Sequence, residues 1–250
     1  EVGMSKRWYQ ENRRDPWRRQ AKSKGYRARS AFKLKQIQDR FEILRKGDTV
    51  LDVGCHPGGW TQVAVEEVGQ SGFVLGLDLL STSPVQGAQI IIGDIKSEST
   101  IEEIDRMLDG RMLNVLISDI SPRLTGRYDT DQAISLELST MVLDAAMPIL
   151  APGGTFVTKI FQGVGIEGLI NAAKQRFSDV RRYAPTASRS SSSETYLICR
   201  NKLPIPHKDA RGKTAFEQIT EHLANLDIVI HVDDPPVESK IGIRRHKKKE

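Results

Sequence analysis

The residues best suited to chemistry are two lysines and two acids spread along the chain. They are Lys33, Asp119 in Ser118-Asp119, Lys159 in Thr158-Lys159-Ile160-Phe161, and Glu194 in Ser193-Glu194-Thr195-Tyr196. A lysine free of its proton is a general base for a weak nucleophile such as a hydroxyl, and nearby carboxylates can orient the amine and stabilise the charge left after transfer. A further stretch, Val50-Leu-Asp-Val-Gly-Cys-His-Pro-Gly-Gly-Trp60, reads as a strand, a glycine turn and a helix start. That arrangement is how an open α/β sheet holds a nucleotide-like cofactor. A lone glycine turn is a weak signal, and its coupling to a Lys/Asp/Lys/Glu set is what points to group transfer from a bound cofactor.

These side chains meet only if the elements carrying them converge. Apolar runs bounded by turn residues predict strands at Thr49–Gly54, Phe73–Leu79, Gln89–Asp94, Leu113–Asp119, Thr155–Phe161, Val180–Tyr183 and Thr195–Arg200. Helical spacing predicts helices near Trp60–Val68, Thr100–Leu108, Gln132–Leu150 and Ile166–Phe177, with Pro148 ending or bending the third. Before the first strand, Leu34, Ile37 and Phe41 recur on one helical face, with Lys33 off that line and Ser30 placed as an N-terminal cap. Strands alternating with helices imply a doubly wound, mostly parallel sheet covered on both faces, an α/β Rossmann-like fold. Successive parallel strands then deliver Asp119 and Lys159 to one carboxyl edge. If the last strand runs antiparallel, its first residue, Glu194, lies at that edge too, and Lys33 completes the group.

In such a sheet ligands bind beyond the carboxyl ends of the strands. Gly54 ends the first strand, and Pro57, Gly58 and Gly59 make the tight approach to a helix opening at Trp60. Free amides at that helix start favour an anion, which for S-adenosylmethionine is its amino-acid carboxylate. Asp52 in the first strand is a candidate for the ligand's ammonium, Asp78 for ribose hydroxyls and Asp94 for the adenine amino group, with Asp119 bordering the same pocket. A nicotinamide dehydrogenase shares the strand, turn, helix and acid order, but Gly54-Cys-His-Pro-Gly-Gly is not the G-x-G-x-x-G that a pyrophosphate requires.

The bulk composition narrows the classes. At 250 residues the chain accommodates one α/β domain with extensions, and no apolar run reaches the roughly 20 residues of a membrane span. Two cysteines, Cys55 and Cys199, make no disulfide framework, and with five scattered histidines they offer no zinc-ligand spacing, so no metal and a reducing, cytoplasmic setting are expected. The net charge of +5 conceals segregation: residues 1–46 hold 15 Lys/Arg against 5 Asp/Glu, and residues 240–250 hold 6 against 1. Two basic ends on an acidic body suit a grip on RNA phosphates, with Trp8, Tyr9 and Trp17 available for stacking. Solvated tails, with the aromatics merely anchoring them, fit the same pattern.

The motifs together carry a resemblance. Through Tyr26-Arg-Ala-Arg-Ser-Ala-Phe-Lys-Leu, Leu51-Asp-Val-Gly-Cys-His-Pro-Gly-Gly-Trp, Asp78-Leu-Leu, Gly93-Asp94, Ser118-Asp-Ile-Ser-Pro, Lys159-Ile-Phe-Gln-Gly and Ser193-Glu-Thr-Tyr, the chain resembles the FtsJ/RrmJ-type ribose 2′-O-methyltransferases over roughly Tyr26 to Arg200. The resemblance implies a seven-stranded sheet with an antiparallel last strand, S-adenosylmethionine as cofactor, and a catalytic tetrad falling on Lys33, Asp119, Lys159 and Glu194. It implies RNA as partner, first a uridine of large-subunit (23S-type) rRNA, with a tRNA anticodon-loop ribose as the alternative and a non-catalytic ribosome-assembly factor as the reading from another class. Cys55-His56 departs from the small residues the family more often carries there. The implied organisation is a basic aromatic extension over 1–25, a methyltransferase domain over 26–201 and a C-terminal extension over 202–250, acting as a monomer.

Overall fold

The computed structural model describes residues 15–122, 124–188 and 193–226. Seven strands form one sheet: β1 (Thr49–Val53), β2 (Phe73–Asp78), β3 (Ala88–Ile92), β4 (Leu113–Ser118), β5 (Leu150–Phe161), β6 (Phe177–Tyr183) and β7 (Glu194–Lys202). Their spatial order is β3-β2-β1-β4-β5-β7-β6. The strands from β3 to β5 pair in parallel, and β7 inserts antiparallel between β5 and β6. The expected doubly wound, mostly parallel sheet with an antiparallel last strand is what the chain forms.

The strands read as near-continuous apolar runs because both faces are covered. On one face Leu51, Val53, Leu75, Leu77, Leu116, Phe156 and Leu197 pack beneath α4 (Glu98–Leu108), α5 (Tyr128–Ile149), α6 (Ile166–Lys174) and α7 (Ala215–Ala224). On the other, Val50, Val74, Val115, Ile117, Val157, Tyr196 and Ile198 pack beneath α1 (Pro16–Ser23), α2 (Ala31–Phe41) and α3 (Gly59–Val68). Alternate residues of each strand therefore feed alternate cores. Leu34 and Ile37 of α2 are fully buried, each contributing about 1.5–3 kcal/mol.

Both flanking segments dock on this core. Asp15 caps α1 by accepting from the amides of Trp17 (3.0 Å) and Arg18 (3.2 Å), and its other oxygen pairs with Arg29, whose guanidinium also donates to the Ala187 carbonyl. Trp17 packs on Phe32, so it anchors the segment. At the other end, α7 is started by a capping box on Thr214 and Glu217 and by Asp144 of α5, whose oxygens accept from the amides of Ala215 (2.6 Å) and Phe216 (3.0 Å). Arg176, almost wholly buried, ties this region down through Gln218 (2.5 Å) and the Lys213 carbonyl (2.8 Å). Trp8, Tyr9 and the basic tail at 240–250 lie outside the described residues.

Three local expectations are corrected. Ser30 precedes α2 but its side chain makes no cap, because its backbone is already helical (φ −60°, ψ −21°). Its carbonyl instead accepts from the indole of Trp60 (2.8 Å). Strand β5 starts at Leu150, directly after α5, rather than at Thr155: Leu150 pairs with Leu113 and Thr155 with Val115, so residues 151–154 bulge out. Helix α5 begins at Tyr128 and continues through Pro148 to Ile149, where Lys202 donates to the Met147 carbonyl (2.6 Å) that the helix end leaves open.

Candidate active site

The two lysines and two acids meet at the carboxyl edge on the face covered by α2 and α3. In the β5–β7 register Lys159 stands opposite Tyr196 and Phe161 opposite Glu194. Residues two apart share a face, so Lys159, Tyr196 and Glu194 point the same way. Asp119 follows the last residue of β4, Ser118, which pairs with Thr158, and so falls beside Lys159. Lys33 enters from α2. Lys159 is 5% exposed and Lys33 8%.

Lys159 Nζ donates to the Asp119 carbonyl at 2.7 Å and lies 3.2 Å from Asp119 Oδ1. The same Oδ1 accepts from the Tyr196 hydroxyl at 2.6 Å. Lys33 Nζ is ion-paired with Glu194 Oε1, which also accepts from the Ser188 hydroxyl at 2.7 Å. Lys33 Nζ stands 6.0 Å from the centre of the Tyr196 ring, which thus bridges the two lysine–acid pairs. Buried charges are tolerated when paired in this way. Burial alone would push the Asp119 carboxyl up, but Lys159, Lys33 and the Tyr196 hydroxyl together hold it below the usual range. Glu194 is likewise lowered: burial raises it, and the charge and hydrogen bond of Lys33, the Ser188 hydroxyl and the charge of Lys159 together more than offset that. Burial, then Asp119 and Glu194, pushes the Tyr196 phenol well up, so it serves as a donor.

The residues expected to contact the cofactor lie in the adjoining strands and turns. Asp78 accepts from the amides of His56 (2.8 Å, Oδ2) and Leu80 (2.8 Å, Oδ1), which fixes the carboxylate at the end of β2 while leaving lone pairs for a ligand. Asp94 accepts from the Lys96 amide at 2.9 Å. Gly54 (φ +78°) lets the β1 exit close on Ile120, since a Cβ there would stand 3.1 Å from the Ile120 Cβ. A Cβ on Gly58 (φ +109°) would meet Val85 Cγ2 at 2.9 Å and Arg27 Nη1 at 3.0 Å, and one on Gly59 the Ala28 Cβ at 3.2 Å. The close approach at these two glycines is thus to the protein's own side chains. The Trp60 side chain is buried and packs on Tyr196 (5.5 Å between ring centres), beneath the tetrad, so only its backbone at the first turn of α3 is available to a cofactor.

Asp52 lies under the floor of this pocket, fully covered. Its Oδ2 accepts from Thr61 Oγ1 at 2.7 Å, and its Oδ1 has no partner among the described residues. Burial first, and then the charges of Asp119 and Asp78, raise its carboxyl to about 7 against the Thr61 bond. Three carboxylates crowded at one edge form a negative field that a cationic ligand relieves. Beside them, α3 opens after its N-cap Gly58 with no side-chain cap, which leaves first-turn amides available to an anion.

A family model described as FtsJ-like methyltransferase matches residues 26–202. The chain belongs to the FtsJ-like methyltransferase family. It is 46% identical over 195 residues to a ribosomal RNA large subunit methyltransferase E of Methanothrix thermoacetophila, covering 78% of this chain and 75% of that one. A protein of the same name from Alkalilimnicola ehrlichii is 41% identical over 196 residues, covering 78% and 94%. A crystal structure from Plasmodium falciparum, described as a ribosomal RNA methyltransferase, superposes with a TM-score of 0.64 at 26% identity, over 71% of this chain and 99% of that one.

As an FtsJ-like methyltransferase the chain takes its methyl group from S-adenosylmethionine, and the site fits that donor. A sulfonium and an ammonium suit the field of Asp52, Asp78 and Asp119, and a carboxylate suits the uncapped start of α3. Sequence reasoning gave no role to Tyr196, Thr61, Ser188 or Arg27. Tyr196 had a signal, its two-residue spacing from Glu194 on a strand. Arg27 had none: its guanidinium donates to the carbonyls of Pro57 (3.2 Å), Ser83 (2.6 Å) and Pro84, stapling the two loops that flank Gly58.

Proposed function

We propose that this methyltransferase modifies the 2′-hydroxyl of a ribose in large-subunit ribosomal RNA, at a uridine, with Lys159 as the base. The observation that carries the reading is the shared grip on Asp119: Lys159 and Tyr196 both reach its Oδ1, while Lys33 and Glu194 pair beside them. Bound S-adenosylmethionine supplies a methyl already activated by its sulfonium charge. What the protein adds is alignment and proton removal.

Asp119 engages two of the three donor positions of the Lys159 ammonium through its carbonyl and Oδ1, which fixes the direction of the third. In the free-amine form that direction carries the lone pair, where Nζ would take up the 2′-hydroxyl proton. The ammonium so formed is stabilised by Asp119. Lys33 and Glu194 neutralise one another and place a cation near the developing alkoxide without leaving an unpaired buried charge. The first-turn amides of α3 hold the cofactor carboxylate, Asp78 its ribose and Asp94 its adenine amino group, with Gly54, Pro57, Gly58, Gly59 and the Trp60 amide shaping the turn.

A ribosomal substrate supports a cytoplasmic enzyme. Among the described residues no helix is long and apolar enough to cross a membrane. All four tetrad residues come from one chain, which supports action as a monomer. A purely scaffolding assembly factor has no need of a complete, mutually paired tetrad. The test is incubation with labelled S-adenosylmethionine and separated ribosomal and transfer RNA, followed by mapping of the modified nucleotide. Label on a ribose of large-subunit rRNA is the expected result. Label on tRNA alone would move the substrate to the anticodon loop, and label on neither would sink the reading.

A further inference from the structure

We propose that Tyr128, with Val164 beside it, is a stacking platform for an RNA base next to the acceptor ribose. The inference rests on the RNA-methylation reading above and adds a binding subsite to it. Tyr128 is the first residue of α5 and leaves more than half its surface exposed, as does Val164 in the loop after β5. Other large apolar side chains also stand in solvent, Leu79, Ile92 and Phe216 among them, but Tyr128 and Val164 do so on the segments that adjoin the tetrad, where they form a surface available to its substrate.

The platform is fixed in place. Tyr128 and Gln132 are four residues apart, so they lie on one face of α5. The Tyr128 hydroxyl donates to the Gln162 carbonyl (2.5 Å), and Gln132 Nε2 donates to the Val164 carbonyl (2.7 Å). Between those two carbonyls, Gly163 (φ +153°) lies where any Cβ would run into the Gln132 side chain. The first turn of α5 is thereby stitched to the loop after β5, and the tyrosine ring is held by its own hydroxyl.

That stitch leads directly to the tetrad. The Gln162 amide donates to the Ser193 carbonyl (3.1 Å), next to Glu194, and Gln162 is three residues beyond Lys159, about 10 Å along a strand. A fixed aromatic face at this distance suits a splayed nucleobase, since single-stranded RNA is recognised by stacking unpaired bases on aromatic side chains. Arg127 precedes Tyr128 and is exposed, so a cation is available for the adjoining phosphate, with Asp129 and Asp131 of the same helical turn as opposing charges.

The test compares wild type with Tyr128→Ala, Tyr128→Phe and Tyr128→Trp. Methylation kinetics use large ribosomal subunits, binding assays use single-stranded RNA oligonucleotides, and affinity for S-adenosylmethionine and the melting temperature are measured alongside. Tyr128→Ala is expected to raise KM for the RNA substrate on the order of tenfold, the loss of one base stack, with cofactor affinity and melting temperature little changed. Tyr128→Phe, which keeps the ring, should stay within a few-fold of wild type, and the new tryptophan of Tyr128→Trp should be quenched by the oligonucleotide.

An unchanged KM in Tyr128→Ala, while wild type methylates normally, would overturn the platform and leave the RNA-methylation reading intact. Absence of methylation by wild type would overturn that reading instead. A Phe variant as impaired as Ala would locate the effect in the hydroxyl tether, and an Ala defect appearing only as lost cofactor binding or lost stability would make the residue structural. A defect on ribosomal particles with no quenching by RNA would assign the patch to a protein neighbour. Each of these three results rejects base stacking.

Discussion

Lys159 and Tyr196 face each other across the antiparallel β5–β7 pair and converge on one atom, Asp119 Oδ1. A single oxygen thus receives one hydrogen bond from a phenol that stays protonated and one contact from the amine assigned as base. The carboxylate fixes both, and its carbonyl holds the amine a second time.

If Lys159 removes the ribose proton, Lys159→Ala should lower single-turnover methylation by at least about 100-fold, the scale of a lost general base. S-adenosylmethionine should still bind, because the cofactor contacts assigned to Asp78, Asp94 and α3 are untouched. Near-normal turnover, measured with saturating cofactor, would remove Lys159 from that role.

Tyr196→Phe deletes one donor to Asp119 while keeping the ring between Trp60 and Lys33. Hydrogen bonds to charged groups contribute about 1.5–3 kcal/mol, so the melting temperature should drop by several degrees. The Asp119 carboxyl is held low partly by this hydroxyl, so in the variant it titrates at higher pH. Its folded value in wild type is depressed, which means the stability it adds is complete above the ordinary aspartate value of about 3.9 and is lost as pH falls through the lowered value. Acid unfolding should therefore begin at higher pH in Tyr196→Phe, and an unshifted acid transition would show that the bond contributes nothing.

Asp52 has the opposite sign. Its folded carboxyl is raised to about 7, so its proton is held more tightly in the folded chain, and the ligand-free protein loses stability as pH rises from about 4 to about 7. A cation bound nearby favours the ionised form, so affinity for S-adenosylmethionine should climb with pH up to about 7, by at most about tenfold per unit, and then level off. Asp52→Asn should flatten that profile, weaken binding at neutral pH and raise the melting temperature of the ligand-free protein. Titration calorimetry between pH 5.5 and about 7.5 decides it, since a flat wild-type profile is incompatible with the linkage.

Arg27 holds three carbonyls from two loops, a geometry that lysine's point charge cannot reproduce. Both Arg27→Ala and Arg27→Lys should raise KM for S-adenosylmethionine several-fold through a loosened Gly58 turn, with kcat at saturating cofactor close to wild type. Loss of kcat with an unchanged KM would place Arg27 in the RNA-binding step instead.

The sheet was legible because strands buried on both faces are apolar throughout, and each tetrad residue lies at the end of such a run or on the helix just before the first. Strand order and the antiparallel β7 followed from the family resemblance more than from the residues themselves. Where the reading failed, two functions shared one local pattern. Residues 151–154, with a proline and two glycines, signalled a break, but the chain used them as a bulge and resumed the same strand. Trp60, at the first turn of α3, was read as a cofactor residue, and what that reading did not show is that its indole is taken up by the Ser30 carbonyl and the Tyr196 ring, which leaves the backbone for such a role. Arg27 could not have been found, because its partners are backbone carbonyls with no identity in the sequence.

The last strand of the sheet is threaded between two that precede it in the chain, β5 and β6, and it carries both Glu194 and Tyr196. A chain translated only as far as β6 therefore has no partner strand beside Lys159 and lacks both residues. On the mechanism proposed for the tetrad, incomplete translation products are expected to be inert toward the RNA surrounding them.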